Sequence, residues 1–128
     1  MYKRYNIAIN SFERKILRHI LGPVKENDVW RVRYNNELYE LYKEPSISII
    51  VKLKRLQWAG HVQRMGNECI PKKILYATIG GKRHVGRPRN RWIDAMEEDA
   101  KKILGVRNWK KKTLNRDIWR GFIQEAKV

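Results

Sequence analysis

The sequence predicts an all-α protein, a small and loosely packed bundle of about five helices that carries one basic loop. Three observations predict this class. Apolar residues recur three and four apart in several separate stretches, the period of a one-sided helix. Gly, Pro and Asn fall between those stretches, where helices start and stop. The strict alternation of a strand occurs once, and briefly.

Asn10 and Glu13 have the spacing of a capping box, and Phe12, Ile16, Leu17 and Ile20 follow on one helical face. Ile7 and Ile9 carry the apolar pattern back toward Lys3, and Gly22-Pro23 stops the helix. The stretch "VWRVRY" sets Val29, Arg31 and Arg33 against Trp30, Val32 and Tyr34. That alternation suits a short extended segment, with no second strand in view to pair with it. "NNELYELYKE" is a short amphipathic turn with Leu38, Leu41 and Tyr42, ended by Pro45. Residues 1–44 are therefore expected to form an N-terminal helix and linker, and residues 45–128 a helical core, within a single helical region.

The longest periodic stretch runs from Ser46 to Met65. Ile49, Leu53, Leu56, Gly60 and Gln63 trace one stripe, and Ile50, Val51, Ala59, Val62 and Met65 widen it. Lys52, Lys54, Arg55, Gln57 and Arg64 are expected on the exposed side. Gly60 weakens this helix relative to Ala and suits a close approach of another backbone. Pro71 suits the first position of a helix over "PKKILYA". A loop is expected around residues 77–88. Pro88 then opens a helix in which Trp92, Ile93, Met96, Ala100, Ile103 and Leu104 share a face and Gly105 caps the end. Acids Asp94, Glu97, Glu98 and Asp99 precede Lys101 and Lys102, the order that the helix dipole and four-residue ion pairs favour. Finally, Asn108 is placed to cap one last helix from Trp109, with Leu114, Ile118, Phe122 and Ala126 on one side and Trp119 and Ile123 beside them.

Charge decides the choice of partner. Twenty-nine Lys and Arg against 13 Asp and Glu leave a formal charge of +16, which points to a polyanion, most commonly nucleic acid. No acid occurs between Cys69 and Ile93, while Lys72, Lys73, Lys82, Arg83, Arg87, Arg89 and Arg91 accumulate there. Lys110, Lys111 and Lys112 form a second cluster. Such residues grip phosphates without reading sequence. The competing explanation is solvated helix faces in a basic protein. "VGRPR" shares the Gly-Arg-Pro centre of an AT-hook, but Val85 stands where that motif places its leading arginine. A helix opened by Pro88 explains the spacing more simply.

Other chemistries find little footing. His61, Cys69 and His84 lack the short pair spacing of zinc ligands, so no metal is assigned. The only serines, Ser11, Ser46 and Ser48, sit at helix starts, and Gly80-Gly81 is not followed by the residues of a phosphate loop. No catalytic residue and no cofactor are therefore assigned. Core packing is the default for Trp58, Trp92, Trp109 and Trp119; base stacking is open only to those that prove exposed. No apolar run approaches the roughly 20 residues of a membrane span, and the first ten residues lack the apolar stretch of a secretory signal. An intracellular chain, nuclear or cytoplasmic, without a membrane partner is the expectation.

The order "RLQWAGHVQRM", "IPKKILY" and "GKRHVGRPRNRWIDAMEEDAKKILGVRNW" resembles the C-terminal end of the endonuclease–reverse transcriptase of LINE-type, non-LTR retrotransposons. "ERKILRHILGPVKENDVWRVRYNNELYELY" resembles the segment just before it, so the likeness runs from about Phe12 to Ala126. It implies a piece from the thumb or beyond, which helps to hold template RNA, primer or target DNA beside other parts of a polyprotein. It also implies what is missing. The family's paired polymerase aspartates have no counterpart, since Asp28, Asp94, Asp99 and Asp117 stand isolated, and none of the family's catalytic residues carries over. The zinc knuckle of some clades is absent, with Cys69 the only cysteine. With methionine at residue 1, the resemblance implies a truncated element or a host reading frame derived from one. A piece detached from its polymerase would expose apolar surface. The function expected is non-catalytic nucleic-acid binding through phosphates; the alternative is a helical protein-interaction module or a truncated product with no nucleic-acid role.

Overall fold

In the computed structural model, the described residues are 3–78, 80, 85–86 and 91–127. The fold is mostly helical, 67% of it in seven helices among those residues, with one two-stranded sheet. The elements are α1 (Lys3–Leu21), β1 (Val24–Glu26), β2 (Val29–Arg31), α2 (Asn35–Tyr42), α3 (Ile47–Arg64), α4 (Ile70–Tyr76), α5 (Trp92–Ile103), α6 (Trp109–Lys112) and α7 (Arg116–Glu125). They fall into two compact units, residues 1–51 with 127–128, and residues 52–126.

In the first unit, α1 starts at Lys3, so Asn10 and Glu13 lie inside a helix and not at its beginning. They cap a different helix. The Glu13 carboxylate is buried and accepts the Ile47 N–H at 3.1 Å and the Tyr39 hydroxyl at 2.9 Å. Asn10 Oδ1 accepts the Ser48 N–H at 3.4 Å. The first turn of α3 thus finds its acceptors 34 and 38 residues upstream, where orphan N–H groups and the positive end of the dipole favour a carboxylate. Burial raises the Tyr39 phenol above its ordinary value, and its bond to Glu13 adds to the rise.

Gly22, in the left-handed region at φ 69°, ends α1 as expected. The expectation of an unpaired extended segment fails. Val29–Arg31 pairs antiparallel with Val24–Glu26 in the register Val24 with Arg31, Lys25 with Trp30 and Glu26 with Val29. Asn27 and Asp28 form the two-residue turn, both with positive φ, the backbone that matches strand twist and that Asn and Asp tolerate best. "NNELYELY" is a helix, and only Leu38 among its apolar residues is fully buried. It ends at Lys43, in the left-handed region, before Pro45 is reached. Among the described residues of this unit, Leu17 and Leu38 are the buried aliphatic side chains.

In the second unit, Leu53, Leu56 and Ala59 of α3, Met96 and Ala100 of α5, Val106, Trp109, Trp119 and Ile123 form the core. Each large side chain buried there contributes on the order of 1.5–3 kcal/mol. Gly60 admits a side chain where the sequence suggested a backbone. A Cβ at this position would clash with Nε1 and Cδ1 of Trp119. The indole N–H donates to the Leu56 carbonyl at 3.1 Å. Gly105, at φ 65°, closes α5 so that the Val106 N–H reaches the Ala100 carbonyl at 3.2 Å and Val106 enters the core.

Two further expectations need correction. The last helix is broken into two. α6 ends at Lys112, and Asn115 caps α7 by accepting the N–H groups of Asp117 at 3.0 Å and Ile118 at 3.1 Å. Asn108 makes no such side-chain bond, and Leu114 and Ile118 are exposed. Lys52 and Arg55, expected in solvent, are half-buried and flank the buried Asp99, with Arg55 at 2.5 Å and Lys52 at 3.5 Å. A carboxylate on the core side of α5 draws two cations inward. The expected surface pairs form as well, Lys101 with Glu97 at 3.3 Å and Lys102 with Glu98 at 2.6 Å. Lys102 holds the Glu98 carboxyl below its usual range.

Candidate nucleic-acid interface

Nineteen of the 29 Lys and Arg lie in residues 52–126, against seven of the 13 acids. The second unit therefore carries most of the positive excess. Its short helices α4 and α6 supply the candidate contacts.

α4 begins with Cys69 at the N-cap and Pro71 in the first turn, where the missing proline N–H costs nothing. Its basic pair divides. Lys72 turns inward and donates to the Met65 carbonyl at 2.9 Å, at the end of α3, so its charge offsets the negative pole of that helix. Lys73 stays in solvent, 3.2 Å from the exposed Glu68 carboxylate. Tyr76, in the last turn, binds Gln63 of α3 through its hydroxyl, and burial raises its pKa.

Lys110 joins the two clusters. Its ammonium lies 5.2 Å from the centroid of the Tyr76 ring, within cation–π range. Arg64 of α3 donates to the Thr113 carbonyl at 2.8 Å, which fixes the end of α6 against α3. The buried Thr113 hydroxyl in turn donates to the Lys110 carbonyl at 2.7 Å. Lys111 and Lys112 are exposed on the same four-residue helix. The structure thus brings Lys73 and Lys110 to neighbouring elements around Tyr76, with two more ammonium groups beside them. The arrangement can hold phosphates, and it offers one partly covered aromatic ring among the cations.

Arg91 is exposed at the N-cap of α5, and its backbone N–H donates to Asp94 Oδ2 at 3.1 Å. The helix starts at Trp92. Pro88, expected to open it, and Lys82, Arg83, Arg87 and Arg89, expected to contact nucleic acid, lie outside the described residues.

The four tryptophans of the second unit split into two classes. Trp109 and Trp119 are 1% and 2% exposed and pack in the core. Trp58 and Trp92 keep 47% and 41% of their surface in solvent and meet edge to face, with centroids 5.1 Å apart and planes at 84°. Trp92 is thus half of a surface pair and no core anchor. Trp58 lies two residues past Leu56 and five past Leu53, off the buried stripe of α3, so helical geometry alone could have flagged it. The Lys110–Tyr76 contact has no such signal, because it joins elements 34 residues apart.

Ser46 and Ser48 lie at a helix start as expected, but Ser11 lies inside α1. Ser46 and Ser48 hydroxyls lie 3.2 Å apart at the start of α3, and Ser11 accepts from Arg14 at 3.1 Å. Among the described residues no group of three or more His, Cys, Asp or Glu is placed to hold a metal ion. None of the described helices is long and apolar enough to cross a membrane. Compared with protein-family models, with curated proteins and with solved structures, the chain matches none.

Proposed function

We propose that the chain is a non-catalytic nucleic-acid-binding module that grips phosphates, descended from the C-terminal part of a non-LTR retrotransposon reverse transcriptase. The observation that carries the binding reading is the junction of two basic clusters at Tyr76, where Lys110 of α6 lies over a ring that belongs to the helix of Lys72 and Lys73. Like charges gather on neighbouring elements at a Coulombic cost, and a bound polyanion removes that cost. The descent rests on the order of the motifs along the chain, from "RLQWAGHVQRM" to "GRPRNRW".

Binding to duplex DNA, single-stranded RNA and an RNA–DNA hybrid, measured at low and moderate salt, tests the binding reading. The expected affinity falls linearly on a double-logarithmic salt plot. Replacing Lys110, Lys111 and Lys112 by Gln should flatten the slope by about 0.7–0.9 for each phosphate that is no longer neutralised. The same measurement on a chain with Lys82, Arg83, Arg87, Arg89 and Arg91 changed to Gln tests the loop. Absence of binding to all three at low salt overturns the proposal.

A second reading, a helical protein-interaction module, is favoured by α1. Phe12, Ile16 and Ile20 recur four apart on this helix and are exposed. Under that reading the lysine and arginine substitutions leave partner binding unchanged.

A further inference from the structure

We infer that the Trp58–Trp92 pair is a stacking platform for the unpaired bases of a single-stranded nucleic acid. The inference rests on the nucleic-acid reading and adds the strand class.

Packing alone accounts poorly for the pair. Tryptophan is the largest apolar side chain, and the two that serve the core are covered almost completely. Trp58 and Trp92 are left nearly half in water, and each covers the other only in part. In a perpendicular pair one ring turns its edge to the face of the other, so the pair itself occupies one ring face of the four. Flat π-surface remains, of the kind on which any base can stack.

The frame around the pair is cationic. Lys54, four residues before Trp58, lies on the same side of α3 and is exposed. Arg91 precedes Trp92 directly and is exposed. Of the nearby acids, Asp99 is paired with Arg55 and Lys52, while the exposed Asp94 accepts the Arg91 N–H and keeps its charge. Phosphates on either side of a stacked base would meet Lys54 and Arg91. A duplex keeps its bases stacked on each other and offers no free face, so this surface discriminates by strandedness and not by sequence.

The test uses the full chain and fluorescently labelled strands of about 15 nucleotides, oligouridine, oligothymidine and a duplex of equal length, followed by anisotropy at fixed salt. Trp58→Leu and Trp92→Leu remove a π-face and keep apolar bulk; Trp58→Phe and Trp92→Phe keep a ring. Each Leu variant should weaken both single strands by roughly five- to tenfold, leave the duplex within about twofold and leave the salt slope unchanged, while each Phe variant stays within about threefold. Leu variants that bind single strands like the unaltered chain overturn the platform. Should they lose their helical circular dichroism, the unaltered chain decides: its tryptophan emission should be quenched by oligothymidine and not by heparin, and equal emission with both overturns the inference. Binding that ignores strandedness, with neutral Leu variants, removes the platform alone. Failure to bind any strand or duplex removes the nucleic-acid reading with it.

Discussion

The Trp119 indole occupies the notch that Gly60 leaves in α3. Its N–H is fixed to the Leu56 carbonyl one turn earlier, so the ring cannot slide away from an added methyl group without losing that bond. Gly60→Ala should therefore destabilise the protein, although alanine is the better helix former. Overpacking costs about 1–3 kcal/mol and the propensity gain returns up to about 1. A net loss of about 1–2 kcal/mol in denaturant unfolding is expected; a more stable variant would show that the indole moves freely.

Asp99 and Glu98 are adjacent acids with opposite expected sensitivities. Asp99 is buried between two half-buried cations, and Glu98 is exposed beside Lys102. Asp99→Asn leaves Arg55 and Lys52 without their counter-charge and should cost about 1–3 kcal/mol, a value reduced from that of fully buried pairs by the solvent that both cations reach. Glu98→Gln should change stability by less than about 0.5 kcal/mol. Parallel chemical melts of the two variants check the contrast.

Glu13 should behave as a cap, though it sits in the middle of a helix. Glu13→Ala removes the acceptor of the Ile47 N–H and of the Tyr39 hydroxyl, and a loss of about 1–2 kcal/mol is expected. Glu13→Gln keeps an acceptor oxygen and should recover part of it. A Tyr39→Phe variant, which removes one of the two donors, should fall between them.

Acid should strip one local contribution from the first unit in a defined window. Glu37 accepts from the Arg31 guanidinium and from the Tyr34 N–H, which lower its carboxyl from 4.5 to about 2. A depressed carboxyl stabilises the fold fully above the unfolded value, so the contribution fades as pH falls from about 4.5 through about 2. Resolved NMR titration of Glu37 should give a midpoint near the lower figure, and Arg31→Met should return it toward the ordinary carboxylate range. A midpoint that Arg31→Met leaves unchanged would contradict the pairing.

Periodicity within single elements is what can be read from the sequence. The Leu53–Leu56–Gly60 part of the α3 stripe, the Gly22 and Gly105 stops and the Glu–Lys pairs of α5 follow from spacing alone, because each step or bond spans six residues or fewer, whereas Ile49 of the same stripe is exposed. Asn10 and Glu13 show the limit. Their spacing suits a capping box, yet the N–H groups that they satisfy lie far along the chain, and spacing carries no information on which helix end is near. The β1–β2 hairpin is half legible: β2 shows its alternation, but the three residues of β1 are too short for alternation to register, and Asn27-Asp28 is a weaker turn signal than Asn-Gly. In the candidate interface, charge identifies Lys73 and Lys110–Lys112, but their meeting at Tyr76 depends on how α4 and α6 fold against α3.

The division between the two units falls inside α3, after Val51, and not in a linker. One continuous run of amides therefore belongs to both. Hydrogen exchange along it becomes an internal comparison of their opening free energies: protection at Ile50 and Val51 reports the first unit, protection at Leu56 to Val62 the second. If one unit opens before the other, the exchange profile will step partway along a helix that looks uniform from its backbone.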